Sequence, residues 1–202
     1  MPELKVCGVT DAAFACAAAR RGVDYLGFIF AEGSPRRVTV EQALEIADAV
    51  SELPTVRLVG VFVSHAPSEI AAIASHVGLD VVQLHGDYGA DEVSELKTAD
   101  YEVWALGGSA ASDSADAVLL DGQIGEQRGG TGRLADWSLV TELKRAGRRI
   151  VLAGGISAEN ISAAVATGAD VIDVNSSLET SPGVKSVEKL DSLLGKFVLP
   201  ER

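Results

Sequence analysis

The sequence has little of several features that would assign a chain to a class at once. Only two of its 202 residues are cysteines, too few for a disulfide framework, so a reducing cytoplasm is the expected location. Its apolar runs are no longer than a strand, which predicts no membrane span, and the opening "MPELK" lacks a signal-peptide pattern. The three histidines show no metal-ligand spacing, so no metal site is predicted.

Basic residues are also scarce. The chain has 17 lysines and arginines against 29 acidic residues, a formal net charge of −12. A protein that coats nucleic acid needs Lys and Arg patches to neutralise phosphates, so no nucleic-acid partner is expected. A small phosphorylated ligand remains compatible with this charge, because backbone N–H groups alone can bind a phosphate.

Apolar residues, in contrast, make up 47% of the chain, and the length suits a single domain over residues 1–202. Eight short runs rich in β-branched residues are predicted strands. Most are continuously apolar, which is typical of parallel strands covered on both faces. The runs are 4–7, 25–30, 58–63, 81–85, 103–106, 117–121, 150–153 and 171–175.

Helical patterns lie between most of these strands, often ending at a glycine. Helices are predicted at 11–21, 39–50, 67–77, 91–97, 137–146, 158–167 and 187–194. The stretch 107–116, "GGSAASDSAD", has little apolar periodicity, so the helix between the fifth and sixth strands is expected to be short or missing.

Alternating strands and helices fit either a (β/α)8 barrel or a doubly wound open sheet. Eight strands favour the barrel, and an open sheet would normally carry a GxGxxG motif where this chain has "CGVT". We therefore predict an α/β protein with a single (β/α)8 TIM barrel.

In such a barrel the active site lies at the carboxyl ends of the strands, where the chain places Cys7, His85 and Asp121. A free cysteine is often an inert core residue, and a histidine here is equally consistent with a hydrogen bond beneath a loop. An aspartate at the end of a strand is paired with another group, solvated, or part of a functional site. Arg36, in the loop after the second strand, is a candidate clamp for a carboxylate, and Gly8 is expected to leave room for a ligand.

Glycine-rich segments come late in the chain: "RGGTG" at 128–132, "AGGIS" at 153–157, and the short "NSS" at 175–177. Each alone is more typical of a tight turn. The last two follow the seventh and eighth strands, which is the usual phosphate position in this fold. Together they predict a phosphate site formed by backbone N–H groups.

The sequence resembles the phosphoribosylanthranilate isomerase family of the tryptophan pathway. The matching motifs run in family order along nearly the whole chain. They are "KVCGVT" at 5–10, "GFIF" with "SPR" at 27–36, "VGVFV" at 59–63, "VQLHG" at 82–86, "LLDG" at 119–122, "GGTG" with "DWS" at 129–138, "LAGGI" with "EN" at 152–160 and "DVNSSLETSPGVK" at 173–185.

The resemblance implies a cofactor-free Amadori rearrangement of N-(5-phosphoribosyl)anthranilate, with Cys7 as general base and Asp121 as general acid. It also implies that Arg36 faces the anthranilate carboxylate. Cys7 then has to begin as a thiolate, which requires a lowered pKa, and Asp121 has to begin protonated. The predicted substrate-binding residues are Arg36, His85, Gly130, Gly154, Gly155, Asn175 and Ser176.

The chain departs from the family pattern at two positions. Ser186 stands where members often carry a helix-capping aspartate, and serine can cap as well. Trp104 stands where many carry a lysine near the end of the fifth strand, so contacts on that side of the mouth are expected to differ.

Two other functions stay open. A histidine-pathway or dual-substrate isomerase would carry an aspartate at the end of strand one, where this chain has Cys7. A non-catalytic barrel that binds phosphosugars would have no need of both Cys7 and Asp121. The expected partner is a small phosphorylated molecule, and the chain is expected to be a monomer or a homodimer.

Overall fold

The computed structural model describes residues 1–53, 56–122 and 137–197. Eight parallel strands pair in chain order and close into a barrel, because the last strand pairs again with the first. They are β1 (Glu3–Cys7), β2 (Tyr25–Ile29), β3 (Arg57–Phe62), β4 (Val81–Leu84), β5 (Glu102–Leu106), β6 (Ala117–Leu120), β7 (Arg149–Leu152) and β8 (Val171–Val174). The predicted (β/α)8 barrel is confirmed.

Seven α-helices in the described residues pack around the strands. They are α1 (Ala12–Ala19), α2 (Val40–Val50), α3 (Pro67–Val77), α4 (Ala90–Thr98), α5 (Ser138–Arg145), α6 (Ile161–Ala166) and α7 (Val187–Leu194). Side chains cap the starts of several of them. Asp11 accepts from the backbone N of Phe14 at 2.7 Å, and Thr39 forms a capping box with Gln42. Ser186 caps α7, as predicted, by accepting from the Lys189 N–H at 3.2 Å.

Two predicted helices are shorter than their patterns suggest. The first ends at Ala19 rather than at residue 21, because a turn follows there and leads to Gly22 with φ of 81°. The sixth begins at Ile161 rather than 158, since the side chain of Asn160 accepts from the Ser157 N–H and holds a turn at 157–160.

The segment 107–116 contains turns and no helix, as predicted. β5 and β6 remain hydrogen-bonded neighbours without it. Arg148, just before β7, donates to the carbonyls of Ser112 at 2.5 Å and Ala115 at 3.1 Å. One guanidinium therefore satisfies carbonyls that would otherwise bond within a helix.

A small hairpin after β8 was not predicted from the sequence. A single 3-10 turn (Ser176–Leu178) leads into β9 (Glu179–Ser181) and β10 (Val184–Lys185), which pair antiparallel. Thr10 donates to the carbonyl of Gly183 at 2.6 Å, and a Cβ at Gly183 would lie 2.9 Å from the Pro35 carbonyl oxygen. The hairpin is thus fixed against the loops after β1 and β2, at the mouth of the barrel.

The apolar core has two parts. The larger lies between the strands and the helices, and the smaller fills the barrel interior. Trp104 belongs to the interior, fully buried, with its ring 5.1 Å from that of Tyr25. Its assignment to the end of the fifth strand is therefore wrong, because β5 continues two residues beyond it to Leu106. In the described residues no helix is long and apolar enough to span a bilayer.

Candidate active site

A cavity of about 600 Å³ lies at the carboxyl ends of the strands, where (β/α)8 enzymes carry their active sites. Each predicted site residue that the structure describes lines it: Cys7, Arg36, His85, Asp121, Gly154, Gly155, Asn175 and Ser176. The remaining one, Gly130, lies outside the described residues, as does the rest of "RGGTG". Residues far apart in the chain meet here because every parallel strand ends at the same rim.

A second cleft, of about 800 Å³, lies at the opposite end of the barrel near the N-terminus. Two pairs of charged side chains that line it form ion pairs. Lys144 lies 2.5 Å from Asp170, and Arg149 lies 2.5 Å from Glu3. These contacts stabilise the closed bottom of the barrel, so we assign the site to the mouth.

Cys7 is the last residue of β1, and its thiol is buried at the base of the mouth cavity. Burial raises the pKa of this thiol. The nearby charges of Lys5 and Lys185 oppose the rise, and that of Asp173 adds to it. The thiolate that the implied mechanism requires is therefore not favoured by this environment, because loss of water disfavours the thiolate more than the lysines favour it.

Gly8, which follows Cys7, has φ of 68°, a left-handed conformation that favours glycine. A Cβ here would lie 2.9 Å from Arg36 Cδ and 2.9 Å from Asn175 Oδ1. The prediction that Gly8 leaves room for a ligand is therefore wrong, since these two side chains take that room. Gly8 instead lets Arg36 and Asn175 approach the end of β1.

A buried polar group beneath Cys7 was missed in the sequence. Lys5 Nζ, fully buried, donates to Gln83 Oε1 at 2.9 Å and to Asp173 Oδ2 at 2.7 Å. Each of the three stands two residues before a predicted mouth residue, and positions two apart on a strand face the same side. A polar residue at that position in an otherwise apolar strand was the signal available.

Arg36 is anchored by a carboxylate that sequence reasoning also missed. Its Nε and Nη2 each donate to Glu179 at 2.8 Å, which leaves Nη1 for a further acceptor. Lys185 Nζ donates to the same carboxylate at 2.9 Å and to Asn175 Oδ1 at 2.7 Å. The hairpin thereby fixes two cations and one amide at the edge of the cavity.

The loops after β7 and β8 also meet at the cavity. Gly154 and Gly155 have φ of 85° and 65°. A Cβ at Gly154 would lie 2.2 Å from Gly122 N and 2.7 Å from Asp121 Oδ1, so only glycine fits beside that carboxylate. Ser177 Oγ donates to the Ile156 carbonyl at 2.7 Å and joins the two loops. The result is a rim of close-lying backbone suited to an anion.

His85 follows β4 and lines the same cavity. Burial lowers the pKa of its imidazole, with Lys5 acting in the same direction and Asp121 and Asp173 opposing it. The lowered pKa favours the neutral imidazole, which offers one ring donor and one ring acceptor.

Similarity to known proteins agrees with this geometry. A family model described as "PRAI: N-(5'phosphoribosyl)anthranilate (PRA) isomerase" matches residues 4–196. A protein of Rubrobacter xylanophilus named N-(5'-phosphoribosyl)anthranilate isomerase is 42% identical over 209 residues, covering 98% of both chains. A longer relative, the tryptophan biosynthesis protein TrpCF of Vibrio cholerae, is 40% identical over 201 residues, which are 95% of this chain and 41% of that protein.

Solved structures give the same result. Phosphoribosyl anthranilate isomerase from Thermus thermophilus superposes with a TM-score of 0.85 at 34% identity, covering 96% of this chain and 97% of that one. A phosphoribosyl anthranilate isomerase in complex with reduced 1-(o-carboxyphenylamino)-1-deoxyribulose 5-phosphate superposes with a TM-score of 0.81 at 29% identity, covering 98% of each chain. The chain therefore belongs to the N-(5'-phosphoribosyl)anthranilate isomerase family, whose members are isomerases of tryptophan biosynthesis.

Proposed function

We propose that the mouth cavity converts N-(5-phosphoribosyl)anthranilate into 1-(o-carboxyphenylamino)-1-deoxyribulose 5-phosphate, with Asp121 as general acid and Cys7 as general base. The observation that carries the proposal is that the thiol and the carboxyl line one cavity together with Arg36 and the glycine-rich rim. An aldose-to-ketose rearrangement needs an acid and a base on opposite sides of a bound sugar, and these residues supply both.

The acid step opens the ribose ring. Asp121 follows β6 at the rim, beside Gly154 of the loop after β7. Its proton goes to the ring oxygen while the bond from that oxygen to C1 breaks. The nitrogen lone pair moves in to form an iminium, and Asp121 is left as a carboxylate.

The base step follows from the iminium, which makes the C2 proton acidic. The Cys7 thiolate removes that proton, and the electron pair moves to form an enolamine. Tautomerisation of the enolamine transfers a proton to C1 and leaves the ketone at C2. Each assisted proton transfer is worth about 10²–10⁴-fold in rate, and fixed positioning of the sugar supplies much of the rest.

Binding is assigned to the two ends of the substrate. Arg36 is held by Glu179 through Nε and Nη2, and its Nη1, which has no partner among the described residues, is assigned to the anthranilate carboxylate. The phosphate lies on Gly154, Gly155, Asn175 and Ser176, and we assign Gly130 and His85 to the same substrate. We further propose that the chain is one cytoplasmic domain over 1–202, a monomer or a homodimer, that works without a cofactor.

The proposal is tested by steady-state assay of the purified protein with both aminoaldoses, the anthranilate substrate and the histidine-pathway substrate. We expect turnover of the first only, because β1 ends in a cysteine rather than an aspartate. Turnover of the histidine-pathway compound would replace the proposal with a dual-substrate enzyme. Binding of the anthranilate substrate without turnover would replace it with a phosphosugar-binding barrel.

In Asp121→Asn, where the general acid no longer contributes an ionisation, the residual kcat/KM should follow the ionisation of Cys7. Because burial raises the pKa of that thiol, we expect this residual kcat/KM to keep rising with pH beyond the range in which an exposed thiol ionises. The measurement is kcat/KM against pH, with circular dichroism at each pH as a control for folding. A plateau reached below neutral pH would contradict Cys7 as the base.

A further inference from the structure

Lys5 lies in the middle of the barrel interior and is the only fully buried lysine in the part of the chain that the structure describes. A buried ion pair is weak evidence for stability, because apolar residues of similar volume usually serve a core as well or better. The Lys5–Asp173 pair at 2.7 Å therefore needs a further reason to be there. Its place directly below the mouth cavity suggests that the reason lies in the chemistry of that site.

Lys5 and Cys7 are two residues apart on β1, so their side chains face the same side of the strand. The neighbouring strand leaves them space. A Cβ at Gly27 would lie 2.9 Å from Cys7 Sγ and 3.3 Å from Lys5 Cε. The lysine stem and the thiol thus share the pocket that this glycine opens. The positive charge of Lys5 lowers the pKa of the Cys7 thiol against the effect of burial.

The other charges near the thiol differ in position. Lys185 and Arg36 approach from the hairpin side, and both are already bonded to Glu179. Asp173 lies on the interior side and accepts from Lys5 through Oδ2, while its Oδ1 is buried and has no hydrogen-bond partner among the described residues. Lys5 is therefore the cation on the interior side of Cys7, and Asp173 and Gln83 fix its ammonium there.

We propose that Lys5 is a positioning residue for the isomerisation, a buried ammonium that holds and stabilises the thiolate form of Cys7 from inside the barrel. This inference rests on the proposed role of Cys7 as the base. Lys5 itself does not touch the sugar, since Cys7, Gln83 and Asp173 lie between it and the cavity.

The test removes the charge while the thiolate is observed directly. In a Cys16→Ala background Cys7 is the only thiol, and its ionisation is followed by ultraviolet absorbance, with the Cys7→Ser/Cys16→Ala protein subtracted to remove the tyrosines. For Lys5→Met and Lys5→Gln we expect the thiolate titration to move to higher pH. At neutral pH kcat/KM should fall by about tenfold or more, recover towards the parent value at alkaline pH, and leave KM nearly unchanged.

Lys5→Gln retains an N–H donor for Asp173, which protects the fold if the methionine variant is unstable. Arg57→Met is the matched control, because it removes another cation of a barrel strand, one paired with Glu102 at 2.8 Å near the opposite end of the barrel. It should lower stability without moving the titration. Folded Lys5 variants with an unchanged titration, or failure of both to fold while Arg57→Met folds, would overturn the inference.

The two proposals fail in different ways. If Cys7→Ser keeps a normal kcat, the proposed base is wrong, whatever the Lys5 variants do to the thiol. If Cys7→Ser is inactive and the Lys5 variants leave both the thiolate titration and the pH profile in place, only the role of Lys5 is wrong.

Discussion

Asp121→Asn is expected to lose at least about 100-fold in kcat, with KM changed much less. The amide has nearly the shape of the carboxyl but has no acidic proton to give to the ring oxygen. The substrate should still bind, because its carboxylate and phosphate are assigned to Arg36 and to the rim around Gly154 and Gly155. Measurement of kcat and KM separately, by steady-state kinetics, checks this split.

Cys7→Ser, which removes the general base, should likewise lower kcat and change KM much less. A serine hydroxyl is a far weaker acid than a thiol, so almost none of it is ionised to act as the base, and kcat should again fall at least about 100-fold. Near-normal kcat in both variants would remove the acid and base assignment altogether.

Two matched control variants test whether these losses of kcat are specific to Asp121 and Cys7. Asp116→Asn removes a carboxylate just before β6, at the end of the strand opposite Asp121, where Asp116 pairs with Lys97 at 2.6 Å. Cys16→Ser removes the other thiol, on α1, which contacts the Ala49 carbonyl rather than the cavity. Both controls are expected to keep kcat, because neither side chain lines the mouth.

The barrel itself could be predicted from the sequence because its strands are short, apolar and regularly spaced, and their order follows from chain connectivity. The missing helix at 107–116 was equally visible, since that stretch has little apolar periodicity. The residues that line the cavity could be predicted because parallel strands of a barrel all end at one rim, so Cys7 and Asp121 share it although 113 residues separate them.

Other features of the fold and the site depend on contacts between distant residues, which no local sequence pattern predicts. The hairpin after β8 is too short to show periodicity, and it is fixed by Thr10 and the loop at Pro35 from far along the chain. The raised pKa of Cys7 depends on how many atoms cover the thiol, which the sequence does not give. No role was predicted for Lys5, although its position two residues before Cys7 places both side chains on the same face of β1.

Glu179→Gln is expected to lower the free energy of unfolding at neutral pH by about 3–5 kcal/mol, because it removes the counter-ion of a buried cation. The Glu179 and Lys185 side chains are only 4% and 2% exposed. The Glu179 carboxylate also accepts hydrogen bonds from the guanidinium group of Arg36. Glutamine keeps the shape but offers one acceptor oxygen and turns an N–H group towards a positive charge. Urea unfolding of parent and variant measures the difference.

The stability of the same variant should also differ from that of the parent in a way that depends on pH. Burial tends to raise the pKa of Glu179, but its hydrogen bonds to Arg36 and Lys185 and their charges outweigh this, so the pKa stands below its ordinary value. A carboxyl with a depressed pKa in the folded state stabilises above its unfolded pKa and loses that contribution as pH falls through the folded value. The stability gap between parent and Glu179→Gln should therefore be widest near neutral pH and narrow in acid. Asp191→Asn, which breaks an exposed pair with Arg21, is the control and should change stability little at any pH. A gap that stays constant into acid would show that Glu179 acts through packing rather than through its charge.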